Sequence, residues 1–253
     1  MSEERRIPGQ GRTVVVVPCF NERARLDVER FRDFAGREPD TEMLFVDDGS
    51  TDGTGALLRE AVEATKGLSL LSLAENRGKA EAVRQGILHG LDAGADFIGY
   101  WDADLSTPLD EVPRLRAHLQ AHPFLLAVIG SRVMLLGRRI ERNPWRHYVG
   151  RVFATGASLA LGLPVYDTQC GAKLFRATDA VRSAFSTPFS DRWVFDVELI
   201  GRITDTVAAP PGDVVHEWPL AEWRDVEGSK VGLADGLRAW WAIVRLWIRR
   251  RSR

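Results

Sequence analysis

Five short, largely apolar runs at 13–17, 43–46, 68–73, 97–101 and 125–129 punctuate the first half of the chain. None alternates cleanly between apolar and polar, so each suits a strand covered on both faces, as in parallel sheets. Between them, residues 22–35, 54–65, 79–92 and 109–121 carry apolar side chains at helical spacing. Strand and helix alternating in this way predict an α/β fold: a Rossmann-like, doubly wound, mostly parallel sheet. Ligands of such sheets bind at the carboxyl ends of the strands. Here those ends carry Pro18-Cys19-Phe20-Asn21-Glu22, Asp47-Asp48-Gly49-Ser50 and Asp102-Ala103-Asp104.

The second half changes character. Residues 132–151 hold six arginines against a single acid, Glu141, and 152–165 are uncharged. The expected organisation is a disordered lead-in over 1–12, a nucleotide-binding half over 13–131, an acceptor-binding half over 132–230 and a terminal helix over 231–253. The whole chain of 253 residues has a formal charge of −1, which supplies no global basic field for nucleic acid. Residues 233–253, however, hold six arginines against one aspartate, so the rest is net acidic. Two cysteines, Cys19 and Cys170, are too few for a disulfide framework and fit a reducing compartment. Both read as buried, inert thiols, and His147 and His216 as structural. The N-terminus lacks the apolar core of a secretory signal, and no uncharged apolar run reaches the ~18 to 20 residues that cross a bilayer.

Asp102 and Asp104 stand two apart at a strand end, so an extended backbone would turn both carboxylates the same way. Together they can share one hard cation, Mg2+ or Mn2+, whose other positions go to substrate phosphate and water. Equally, one of them can simply cap the helix that starts near Pro108. The Asp47 to Thr54 segment either brings backbone and carboxylates close to a base and ribose, or is a tight turn capping the next helix. The same two readings hold for Pro18 to Glu22 and for Asn76-Arg77-Gly78-Lys79, where Lys79 either meets a phosphate or sits in solvent.

Taken in order, Val16-Val17-Pro18-Cys19-Phe20-Asn21-Glu22, Phe45-Val46-Asp47-Asp48-Gly49-Ser50-Thr51-Asp52-Gly53-Thr54, Asn76-Arg77-Gly78-Lys79 and Asp102-Ala103-Asp104-Leu105 resemble family 2 glycosyltransferases of GT-A fold. Downstream, Gly130-Ser131-Arg132, the Asp167 to Phe175 segment and the Arg192 to Leu199 segment are similar to polyprenyl-phosphate sugar transferases, above all the dolichyl-phosphate glucosyltransferases. The resemblance implies that Pro18, Phe20, Asn21, Glu22 and Asp48 hold the nucleoside, with Lys79 near it. It places Asp102, Ala103 and Asp104 at the metal, with Asp102 and Asp104 as its ligands, and Arg132 and Arg146 at the acceptor phosphate. Asp102, Asp104, Arg132 and Arg146 are then the expected catalytic set. Two positions depart from the related mannosyl enzymes: Ser106 replaces a metal-contacting Gln, and Gly150 a phosphate-contacting Ser.

The arginine-rich segment is by its own chemistry a local anion site or a solvated basic loop. Residues 152–165 form either a buried core helix or an interfacial element. On a helical wheel, Leu233, Leu237, Trp240, Trp241, Val244, Trp247 and Ile248 share one stripe flanked by arginines, which suits a lipid headgroup interface or packing on the body. Asp196 and Glu198 either meet sugar hydroxyls or belong to the core. The resulting expectation is an inverting, metal-dependent transferase that moves a hexose, glucose from UDP-glucose, onto a polyprenyl or dolichyl monophosphate. It would yield a β-linked lipid-phosphate sugar at the inner face of the cytoplasmic membrane, with peripheral contact through 231–253. The alternatives are a transferase with a soluble acceptor, a nucleotidyltransferase, which would want a Gly-rich loop after the first strand, and a non-catalytic binder of sugar nucleotides.

Overall fold

The first strand, β1 (Thr13–Cys19), runs up the middle of a seven-stranded sheet and is buried almost throughout. The structure, a computed structural model, describes residues 11–141, 144–192, 194–225, 240–245 and 247–248, with backbone alone at 144–147 and 149. In chain order the elements are β1, α1 (Val28–Arg37), β2 (Thr41–Asp47), α2 (Thr54–Ala64), β3 (Leu68–Ser72), α3 (Lys79–Asp92), β4 (Phe97–Trp101), α4 (Glu111–Ala121) and β5 (Ala127–Ser131). There follow β6 (Arg139–Glu141), α5 (Pro144–Leu161), β7 (Ala172–Arg176), α6 (Asp179–Ser186), α7 (Phe195–Asp205), α8 (Pro211–Val214), β8 (Val215–Pro219) and β9 (Glu222–Arg224). The sheet order is β3-β2-β1-β4-β7-β5-β8, and only β7 runs antiparallel to its neighbours. Strands β6 and β9 form a separate parallel pair.

Apolar residues on both faces of each central strand explain the three layers. Val15, Val17, Met43 and Phe45 face Phe31 and Phe34 of α1, Leu58 of α2 and Leu115 of α4. Val14, Val16, Leu44 and Val46 face Val83 and Ile87 of α3, Phe185 of α6 and Phe195 and Leu199 of α7. Helix α3 comes close because Gly86 faces β1 and β2: a Cβ there would lie 2.5 Å from Val16 Cγ1. The expected doubly wound, mostly parallel sheet is what forms.

Several boundaries differ from expectation, the following three among them. The first helix begins at Val28, not at 22, because residues 22–26 turn back on themselves: Arg25 N–H and Leu26 N–H both donate to Glu22 O, and Asp27 then caps the helix by accepting from Arg30 N–H. The fifth strand starts two residues later than its apolar run. The lead-in is already anchored at Arg12, whose N–H donates to Asp96 and whose carbonyl accepts from Asp96 and Phe97; residues 1–10 lie outside the described residues.

Helix α5 is divided lengthwise, which joins the two readings of 152–165. Ala154, Ala157, Ala160 and Leu161 are buried, while Val152 and Leu159 are exposed. Residues 240–245 and 247–248 are helical and join α5 and α7 in a third apolar cluster through Ala242 and Ile243. Of the expected terminal stripe, Trp240, Trp241, Trp247 and Ile248 are exposed and Val244 is half-buried; Leu233 and Leu237 lie outside the described residues. Among the described residues no helix is long and apolar enough to cross a membrane.

Candidate active site

The carboxyl ends of β1, β2, β3 and β4 converge, and the loops leaving them are tied to one another by backbone donors. After β1, Asn21 sits at a positive φ of 53° and bridges to the β2 loop: its N–H donates to Ser50 Oγ (3.0 Å), while its Oδ1 accepts from Thr51 N–H (2.9 Å). Glu22 N–H donates to Thr54 Oγ1 and Arg23 N–H to Asp52 Oδ2. Asp48 links the next pair of loops by accepting from Arg77 N–H (2.8 Å) and Gly78 N–H (2.7 Å). Burial raises the Asp48 pKa, against these two bonds and the nearby Arg192 guanidinium, which favour the charged form. Gly49 makes this junction possible: its φ is 69°, and a Cβ there would press on the backbone of Glu75 and Asn76.

Pro18, Phe20, Asn21, Glu22 and Asp48 are thus brought onto one rim, with the Phe20 ring exposed. Two of them are used differently from the simplest expectation. Both Glu22 oxygens accept from Arg25 (2.9 and 2.6 Å), and each Asp48 oxygen accepts from a backbone amide. Their first task is to hold the rim in shape.

At the end of β4 the backbone does not stay extended, which corrects the geometric premise for the aspartate pair. The chain turns at Ala103, and Leu105 takes a positive φ of 54°. Asp102 and Asp104 nevertheless both lie within electrostatic range of the Lys79 ammonium. Asp102 Oδ1 forms an ion pair with Lys79 Nζ, and Asp104 Oδ1 accepts from Ser106 N–H (3.0 Å) and Ser106 Oγ–H (2.5 Å). Ser106, one of the two departures noted above, therefore orients Asp104. Ala103, between them, is buried. The crowding of the ammonium by surrounding loops disfavours the Lys79 charge even though its side chain keeps an exposed flank, but Asp102, Asp196 and Asp104 outweigh this and hold the pKa above the ordinary lysine value.

The opposite wall comes from the second half. Arg132 follows β5 and is gripped by Asp167: its Nε lies 2.7 Å from Oδ2, its Nη2 2.8 Å from Oδ1, and its backbone N–H donates to the same carboxylate. Burial opposes the charge, and Asp167 more than restores it, with Asp102 adding at longer range. Glu217 of β8 in turn accepts from Tyr166 N–H and Asp167 N–H. Arg132 is thus within electrostatic range of Asp102, with its backbone N–H, Nε and Nη2 all engaged by Asp167. Arg146 lies in the first turns of α5, and its side chain is outside the described residues.

Beneath the site lies a buried cluster that pattern reading did not assemble. Lys173 of β7 is fully buried; its Nζ donates to Asp196 Oδ1 (2.6 Å) and Cys170 O (2.5 Å), and Tyr100 O–H donates to the same Asp196 oxygen. Of the two acids left open above, Asp196 is therefore a buried anchor facing the site. Glu198 is bound to Ser190 and Arg202 on the outer side of α7. The available signal was a lysine within the apolar strand Ala172-Lys173-Leu174-Phe175, since a charge in a central strand needs a partner. Gly171 was also missed as a functional position: a Cβ there would overlap the Asp102 carboxylate. Cys170 is buried and its thiol is pushed up to about 11 by burial and by Asp167, as an inert thiol should be. His216 packs with His118 and His122 far from these residues in the sequence and on the edge strand.

Among the described residues no three His, Cys, Asp or Glu side chains converge as a metal cage. Two carboxylates, Asp102 against Gly171 and paired with Lys79, and Asp104 oriented by Ser106, nonetheless suit in kind a Mg2+- or Mn2+-type ion that takes its remaining ligands from a diphosphate and water.

Comparison with known proteins agrees with this fold. The profile of Glycosyl transferase family 2 matches residues 14–181. Similar curated proteins include a dolichyl-phosphate beta-glucosyltransferase of Trichomonas vaginalis, 30% identical over 243 residues (91% of this chain, 69% of that protein). Those of Mus musculus (32% identical; 86% and 68%) and Saccharomyces cerevisiae (30%; 87% and 69%) are comparable. Among solved structures, glucosyl-3-phosphoglycerate synthase from Mycobacterium tuberculosis shares the fold. Its complex with Mn2+, UDP and glucosyl-3-phosphoglycerate superposes with a TM-score of 0.66 at 19% identity, covering 95% of this chain and 80% of that one.

Proposed function

We propose, from the premise that this chain belongs to glycosyltransferase family 2 and is a glycosyltransferase similar to the dolichyl-phosphate beta-glucosyltransferases, that it transfers glucose from UDP-glucose to a polyprenyl or dolichyl monophosphate with inversion. The observation that carries the reading is acid and guanidinium at the ends of the two strands that flank the start of β7: Asp102 and Asp104 after β4, and Arg132 after β5.

A phosphate monoester is largely ionised at neutral pH and is already a nucleophile, so the protein supplies placement more than proton transfer. Phe20, Asn21, Glu22 and Asp48 form the rim for the nucleoside. Asp102 and Asp104 would hold Mg2+ or Mn2+, and the ion, when bound, offsets the negative charge that gathers on the departing diphosphate. Ser106 fixes the Asp104 rotamer, and Asp167 fixes Arg132, so neither group needs to reorganise when charge shifts. Arg132, with Arg146 as the second arginine, orients the acceptor phosphate toward the anomeric carbon. Asp196, pinned by Lys173 and Tyr100, borders the sugar position.

The lipid acceptor agrees with exposed Trp241, Trp247 and Ile248 on a helical segment that packs on α5, with the exposed Val152 and Leu159 of α5 itself, and with the arginines of 238–253. The protein would then work peripherally, at the inner face of the cytoplasmic membrane. The test incubates UDP-glucose, UDP-galactose and GDP-mannose in turn with Mn2+ or Mg2+ and either a short polyprenyl phosphate or 3-phosphoglycerate, and identifies products by mass. Glucosyl polyprenyl phosphate from UDP-glucose is the expected product; glucosylation of the soluble acceptor alone would overturn the lipid assignment.

A further inference from the structure

Lys79 is the first residue of α3, following the positive-φ Gly78, and a cation there is on the unfavourable end of the helix dipole. What compensates it lies across the cleft: Nζ is paired with Asp102 Oδ1 and lies in the field of Asp104 and Asp196. The side chain is 42% exposed, so it can move without opening the core. Asp196 is already bound to Lys173 and Tyr100, and Asp104 to Ser106, so Asp102 is the carboxylate on which Lys79 rests most directly.

We infer that Lys79 is an exchangeable internal counter-ion: it neutralises Asp102 in the donor-free enzyme, opposes binding of the metal by itself, and swings to the diphosphate when metal and nucleotide arrive together. The inference rests on the assignment of Asp102 and Asp104 as the metal ligands. A divalent ion on that pair must take Asp102 from Lys79, which leaves the ammonium at the α3 N-terminus with no second ion pair as short among the described residues' carboxylates, Asp196 being held by Lys173 and Asp104 by Ser106. The diphosphate supplies the missing anion. Metal and nucleotide therefore reinforce each other, and the lysine is a source of that coupling. No bond is made or broken; one ion pair is exchanged for another.

The test reads bound Mn2+ by electron paramagnetic resonance in the wild type, Lys79→Gln and Lys79→Arg, with and without UDP, after thermal melting has shown that each variant is folded. Lys79→Gln should bind Mn2+ alone about tenfold more tightly, equivalent to the loss of one competing ion pair, and should show a smaller gain from UDP. Lys79→Arg, which keeps the charge, should retain weak binding of Mn2+ alone. Lys79→Gln binding Mn2+ alone no more tightly than the wild type, while UDP still recruits Mn2+ to both, would overturn the counter-ion role and leave the metal assignment standing. Wild type that binds no Mn2+ even with UDP, or an Asp104→Asn variant that binds Mn2+ and UDP normally, would remove the metal assignment and this inference with it.

Discussion

Gly171→Ala is a one-methyl perturbation aimed at the carboxylate of Asp102. Gly171 is not among the glycines at positive φ, so alanine meets no backbone strain there. Its added Cβ would instead fall on the Asp102 carboxyl group. Retreat of the backbone is blocked, because Gly171 O accepts from Asp102 N–H (3.0 Å) at the point where β4 and β7 come into register at Trp101 and Ala172. The carboxylate must therefore turn away by on the order of 1 Å, a misplacement that costs roughly 100-fold in rate at a preorganised site. Overpacking should cost about 1 to 3 kcal/mol of stability, offset in part by the ~0.4 to 1 kcal/mol that alanine gains over glycine in the unfolded chain. At this size the melting temperature then falls by a few degrees, at about 2 to 4 °C per kcal/mol.

The assay pairs steady-state turnover of UDP-glucose with a thermal melt. Gly90→Ala serves as the control, since its Cβ would crowd Ile98 (2.5 Å) and Val14 (3.1 Å) deep under α3, away from the aspartates. Both variants should melt lower, and only Gly171→Ala should lose turnover out of proportion to its stability. Near-wild-type turnover in Gly171→Ala would refute the placement of Asp102 at the reacting centre.

Asp167→Ala leaves the buried Arg132 guanidinium without its paired carboxylate (2.7 and 2.8 Å) and should cost about 3 to 5 kcal/mol in urea denaturation; a much smaller loss would mean that Arg132 is solvated. The His118 ring, 2.9 Å from His216 Nδ1 and stacked near His122 and Trp218, is held below the ordinary imidazole pKa by burial and then by the two neighbouring histidines. The unfolded chain therefore takes up the proton first as pH falls, so stability present above about 6.5 declines below it, and His118→Gln should flatten that decline in urea midpoints measured across this range.

Much of the fold could be read from the sequence because its central strands are apolar on both faces. Val14 to Val17 or Phe97 to Trp101 can be nothing but buried, and their carboxyl ends fix where polar motifs gather. The β7 insertion could not be read in that way. Its sequence, Ala172 to Arg176, carries Lys173 among apolar residues, and the reversed direction of the strand depends on pairing with β4 and β5, which are distant in sequence. In the site, residues on successive strand ends were found by their order along the chain, but how each carboxylate is used was not. Arg25 on Glu22 is set by the turn over residues 22–26, and Lys79 on Asp102 and Ser106 on Asp104 by the turn at Ala103 and Leu105, neither of which any periodicity announces. The helix expected from 22 failed for a related reason: residues 22–26 go to the rim, and Asp27 starts the helix only after that demand has been met.

The stitching of the β1, β2 and β3 exits has a thermodynamic corollary. Since Asn21 and Glu22 are bonded to Ser50, Thr51 and Thr54, and Asp48 to Gly78, before any guest arrives, a visitor that touches only this rim freezes few additional torsions. Recognition of the base and ribose should thus proceed as lock-and-key docking with a modest entropic penalty, so that isolated nucleoside fragments retain an unusually large share of the whole donor's affinity per atom.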